Sequence, residues 1–166
     1  MSLTLEYIKS CVDNLASKIN APNNVLPTYG KSYYGPTSYV DMDSKNRLIY
    51  VIPGDRGDDS YIEAVDLDHL LFIIFKSVTW SMAMNLYLKN HQPNVDSRRQ
   101  WFEIQLELLE KLNKDWKDMA ERDQKSITML SPFNDYEGKR ESYLRELIGN
   151  GFLHDEAVKK AYEKYP

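Results

Sequence analysis

Residues 69–89 read "HLLFIIFKSVTWSMAMNLYLK", and this stretch decides the fold. It is apolar on most sides, and a helix of that kind must be surrounded by the rest of the chain. A membrane span needs about 20 mostly apolar residues, and this run is interrupted by Lys76, Ser77, Thr79, Ser81 and Asn85. It reads as the central helix of a core.

The flanks place the other elements around it. Upstream, "SYIE" (60–63) has the spacing of a capping box, and Asp66 offers a second cap slightly later, so the helix is expected to start between 60 and 67 and run to about Lys89. "NHQPN" ends it. The next apolar stripe, Trp101, Phe102, Ile104, Leu108, Leu109, Leu112, Trp116 and Met119, predicts one further helix from near Asp96 to about Leu130.

Closer to the N-terminus, Leu5, Ile8, Val12, Leu15 and Ile19 recur at helical spacing and predict a helix over 4–20, closed by Pro22. Residues 37–42 and 47–52 are rich in β-branched and aromatic side chains and flank "DSKN", a hairpin signature. Two shorter helices are expected around 138–148 and 155–164, joined by "GNG". The expected fold is α+β: a mostly helical single domain over 1–166, with a small antiparallel β-hairpin or sheet between the N-terminal helix and a long helical pair.

Composition narrows the function. The chain has 166 residues and a net charge of −4, which gives no basic surface for a nucleic-acid partner. Its single cysteine, Cys11, forms no internal disulfide, and the N-terminus lacks the basic segment and apolar run of a signal peptide. A cytoplasmic protein is expected. The histidines His69, His91 and His154 show no metal-binding spacing, and no serine sits in a Gly-x-Ser-x-Gly elbow. No cofactor or metal is expected, and no catalytic set stands out. His69, beside Asp68, is the one residue on which a small hydrolase would be built.

"DSRRQWFEIQLELL" (96–109) poses the sharpest question. Arg98 and Arg99 stand at the positive end of a helix dipole, where bases are disfavoured. Either acids from elsewhere hold them, with Asp96 serving one and the acidic stretch 55–68 the other, or the pair binds an anion. The absence of a glycine-rich phosphate loop favours a structural tie.

These residues also carry a resemblance. Asp55, Arg56 and Gly57; Asp66, Leu67, Asp68, Leu70 and Leu71; Val78, Thr79, Trp80, Met82 and Ala83; and Asp96, Arg98, Arg99, Phe102 and Gln105 fall in the order of the motifs of immunity protein family sixty-three of bacterial polymorphic-toxin systems. The chain resembles that family over about residues 48–120. It departs where His69 replaces a usual Glu, Ser97 a usual Phe, and Tyr87 and His91 a Glu–Arg pair. The resemblance implies a non-catalytic protein that binds and neutralises a cognate toxin domain by occlusion. A non-catalytic adaptor or scaffold is the other class to weigh.

For the docking surface, the acids Asp55, Asp58, Asp59 and Glu63 suggest a basic toxin, and Tyr33, Tyr34 and Tyr39, with Tyr29, offer large anchors. The alternative is that the acids form a solvated turn and the tyrosines pack the hairpin. Self-association is left open.

Overall fold

The computed structural model describes residues 3–30, 37–54, 58–90 and 92–166. The chain is α+β. Among the described residues a four-stranded mixed sheet, β1 (Thr28–Tyr29), β2 (Tyr39–Met42), β3 (Leu48–Ile52) and β4 (Ser60–Ala64), runs in that spatial order. β1 pairs parallel to β2, and β2–β3 and β3–β4 pair antiparallel. The helices are α1 (Leu5–Lys18), α2 (Leu67–Lys89), α3 (Ser97–Glu110), α4 (Lys114–Leu130), α5 (Asp135–Gly149) and α6 (His154–Lys164).

The β2–β3 hairpin forms where expected. Asp43 turns it, its Oδ1 accepting from the amides of Lys45 and Arg47 at 2.9 Å each. Asn46 takes a left-handed conformation (φ 59°), which asparagine tolerates better than most residues. One face of the sheet, with Val40, Leu48, Tyr50, Ile62 and Ala64, meets α2 and joins Ile8 and Val12 of α1 in the core.

Two sequence expectations are corrected. "SYIE" does not start the central helix. Ser60–Ala64 pairs with β3, placing Ile62 opposite Tyr50 and Ala64 opposite Leu48, and burying those side chains against α2 outweighs the local capping signal. Asp66, the second candidate, is the cap and accepts from the His69 amide at 2.8 Å. The helix from 96 to 130 is in fact two. It breaks at Leu112–Asn113, where the Asn113 side chain accepts from the Asp115 amide at 2.8 Å and caps α4. The break is masked in the sequence because Leu108, Leu112 and Trp116 keep a four-residue spacing across it.

By length and composition α2 is apolar enough to cross a membrane. Its Leu70, Leu71, Ile74, Phe75 and Val78 are instead buried in the core. Polar bonds in the same region fix how its neighbours lie. Thr79 Oγ1 donates to the Phe75 carbonyl at 2.6 Å. Gln105 Nε2 donates to the Lys76 carbonyl at 3.0 Å, and Gln124 Nε2 donates to Gln105 Oε1 at 3.0 Å. The two glutamines tie α2, α3 and α4 where their polar groups would otherwise be unpaired. Asp68 accepts from Trp116 Nε1 at 3.3 Å, a further link between α2 and α4.

α5 and α6 form the expected C-terminal hairpin, closed by Gly151 (φ 89°) and the Phe152 amide donating to the Leu147 carbonyl at 3.1 Å. Leu147, Ala157 and Ala161 are buried in it but do not belong to the main core cluster. The hairpin approaches the body closely at Gly138, where a Cβ would stand 2.4 Å from the Val95 carbonyl oxygen. Replacing a helical glycine by alanine ordinarily stabilises by about 1 kcal/mol. At this position Gly138→Ala is expected to lower stability instead, read as a reduced midpoint in urea unfolding.

Candidate functional site

Asp96 caps α3 and is 4% exposed. Its carboxylate accepts four hydrogen bonds: from the Arg98 amide (3.0 Å), Arg98 Nε (3.0 Å), Arg98 Nη2 (2.7 Å) and the Asn134 amide (2.8 Å). Arg98 is equally occupied. Its Nη1 donates to the Ser131 carbonyl (2.8 Å) and Ser131 Oγ (3.2 Å), and its Nη2 also donates to the Pro132 carbonyl (3.0 Å). A guanidinium has five N–H donors, and all are used within the chain.

Arg99 pairs with Asp135 through Nε (2.9 Å) and Nη2 (3.2 Å), and Asp135 Oδ1 also accepts from the Asp96 amide at 3.0 Å. Both guanidiniums lie over the Phe133 ring, at 5.4 Å for Arg98 and 4.4 Å for Arg99. The expectation of acidic partners from 55–68 is therefore corrected. The partners come from 131–135, the segment leading into α5, because the break at Asn113 folds α4 back along α3 and returns the chain to the start of α3.

A polar cleft of about 310 Å³ lies beside this latch, lined by Arg98, Glu137, Glu141 and Arg145 among others. Arg145 pairs with Glu141 and Arg98 with Asp96, and Glu137 adds a third carboxylate to the lining, so the cleft carries more acid than base and suits an anion poorly.

Burial pushes the Asp96 carboxyl up, but the Arg98 guanidinium and the amides of Asn134 and Arg98 together hold it down, at about 2. Its ordinary value is 3.8, so the stabilisation is present above pH ~4 and is lost as pH falls through 2.

The other sequence candidates fall in several places. Asp55, Arg56, Gly57, Tyr33, Tyr34 and His91 lie outside the described residues. Asp58 and Asp59 sit on the β3–β4 connection. Asp58 is exposed, whereas Asp59 accepts from the Gly54 amide at 3.2 Å and braces the turn. Glu63 faces Arg47 at 3.0 Å, at the far end of β4. Tyr39, 6% exposed, is withdrawn from any partner. Tyr29 lies in β1, its hydroxyl buried. His69 uses Nδ1 to accept from the Val65 amide at 3.2 Å, a satisfied helix-end residue.

The sequence reading missed Asp135, the partner of Arg99. It also missed an apolar groove of about 530 Å³, lined by Ile52, Ile62, Trp80 and Ile127 among others, between the β3–β4 edge, α2 and α4. Five separate elements, β3, β4, α2, α3 and α4, contribute to it, so no local pattern announces it. Its one sequence signal is Ile127 four residues beyond Asp123 on a largely polar helix.

Asp96, Arg98, Arg99 and most of the groove lining fall in a segment that resembles a known class of protein. Residues 47–126 match a family of immunity proteins. The family is immunity protein 63, and the likeness extends over just under half of the chain. The match takes in β3, β4, α2 and α3 whole and α4 as far as Ser126, leaving α1, β1, β2, α5 and α6 outside. Comparison with curated proteins and with solved structures found no match.

Two outcomes follow for the latch. Arg98→Ala strands the buried Asp96 charge and is expected to cost about 3 kcal/mol, whereas Arg99→Ala, removing a half-exposed pair, costs much less; chemical denaturation of both variants checks the ranking. The depressed Asp96 carboxyl contributes about 2 kcal/mol that disappears between pH 4 and pH 2. Urea unfolding across that range should therefore show a steeper acid loss in the unmodified protein than in Asp96→Asn.

Proposed function

We propose that the chain binds the toxin domain of its cognate system and neutralises it by covering the toxin's working surface, with no chemistry of its own. The observation that carries this reading is the family match over 47–126. The geometry around it supports the same conclusion. Arg98 spends all five of its donors on the chain itself, Arg99 pairs with Asp135, and His69, the residue a hydrolase would need, serves as a helix-end acceptor. Immunity by occlusion asks only for a stable surface of the right shape and charge. The protein acts in the cytoplasm, an assignment with which its single cysteine agrees.

The partner is a basic protein surface. Asp58 is exposed on a turn, and among the described residues its carboxylate has no ion-pair partner. A charge so placed speeds the approach of a cation-bearing partner more than it strengthens the final complex.

Growth rescue tests the reading: co-expression with the toxin domain encoded beside this chain should restore growth, and unrelieved toxicity at matched expression refutes it. For the charge, Asp58→Lys is expected to slow association with that domain about tenfold at low salt, with the difference shrinking as salt rises. Surface-plasmon resonance at two ionic strengths reads this directly, and the thermal melt should be unchanged.

A further inference from the structure

The groove between the β3–β4 edge, α2 and α4 holds about 530 Å³, within the range of built ligand sites. Its lining is mostly apolar, with Ile52 and Ile62 from the sheet, Phe72, Ile73 and Trp80 from α2, and Ile127 from α4, beside polar groups such as His69 and Gln105. Trp80 is 46% exposed and Ile127 47% exposed, although each is large and apolar. Trp80 is held edge-on by Trp101, with ring centroids 6.2 Å apart, so the ring is presented in a fixed orientation. Among the described residues its indole N–H has no hydrogen-bond partner.

The charges sort the possible occupants. Across the groove Lys76 on α2 bonds to Asp123 on α4, so the charges of this pair cancel and leave nothing uncompensated to hold an ionic metabolite. At the sheet end of the groove Ile52 pairs with Ser60, and Asp58 and Asp59 immediately precede Ser60 in the chain. Asp58 lies close to Gly54, where a Cβ would stand 2.1 Å from the Asp58 carbonyl oxygen, and Asp59 accepts from the Gly54 amide. The site is thus a mostly apolar trough with two acids near its sheet end. A second copy of the chain, with its own net charge of −4, would bring acid toward acid.

The geometry points to a protein segment that presents large apolar side chains beside a lysine or arginine, borne by the toxin domain. The apolar side chains fill the groove between Ile62, Trp80 and Ile127, and the cation meets Asp58. This rests on the toxin-binding reading and names the surface and partner chemistry for it. Aromatic anchors seated in a pocket and ringed by polar groups are where binding energy concentrates.

The experiment measures calorimetric affinity for the adjacent toxin domain in the unmodified protein, in Trp80→Ala, in Ile127→Asn and in Tyr136→Ala, an exposed aromatic on α5 away from the groove. Trp80→Ala and Ile127→Asn are each expected to weaken binding at least tenfold, and Tyr136→Ala to leave it within twofold. Hydrogen exchange of the unmodified complex supplies a reading independent of how the variants fold. β4 and the second half of α4 should gain protection on binding. Unchanged affinity in both groove variants, or protection confined to other elements, overturns the groove while leaving toxin binding intact. An unmodified protein that neither binds the domain nor rescues growth overturns the toxin-binding reading, and the groove assignment with it. Groove variants that abolish self-association in sedimentation but keep toxin affinity make the groove a contact between copies and also overturn the proposal.

Discussion

The buried carboxylate of Asp96 is the constraint on which the arrangement depends. It begins α3, holds the guanidinium of Arg98, and accepts from the amide of Asn134, where the last third of the chain returns. A lone charge at 4% exposure would be strongly unfavourable. Here the cost is offset because the acid, the guanidinium and the peptide groups of 131–134 satisfy one another together. The disfavoured position of two bases at a helix start resolves in the same way. The helix dipole opposes them, but Asp96 and Asp135 supply full negative charges within hydrogen-bonding distance, and a full charge outweighs the partial charge of a helix end.

Much of the fold was legible because it is written in periodicity. The hairpin over 37–52 followed from β-branched runs on either side of "DSKN", and the central helix from a run too apolar to be left outside. The C-terminal helical pair followed from the glycines of "GNG". What was illegible depended on tertiary competition. Ser60–Ala64 carries a helix-start signal and a strand composition at once, and the vacant edge of β3 decided between them. The division between α3 and α4 was hidden by an apolar spacing that happens to bridge the break.

The site divided along the same line. That Asp96 caps a helix and serves Arg98 was readable over two residues of separation. That Asp135 serves Arg99, 36 residues away, was not, since it depends on where α4 delivers the chain. Tyr39 illustrates the reverse error. A tyrosine in a turn-rich segment suggests an anchor for a partner, yet its place in β2 buries it. The groove required β3, β4, α2 and α4 to be placed together before Trp80 and Ile127 could be recognised as neighbours.

The C-terminal hairpin carries its own small cluster of buried side chains, apart from the main core. An element built this way opens as its own cooperative unit, at a free energy below that of global unfolding. It meets the body through an acid for Arg99 and the Asp96 amide, an amide for Asp96, two carbonyls and a hydroxyl for Arg98, the Phe133 ring beside both guanidiniums, and the close approach of Gly138 to Val95. The amide and the two carbonyls belong to the backbone and are available from many sequences, whereas Asp135, Ser131, Phe133 and Gly138 depend on the residue. A tail put in place of α5–α6 would therefore have to deliver the same atoms to the start of α3 and leave the same room beside Val95.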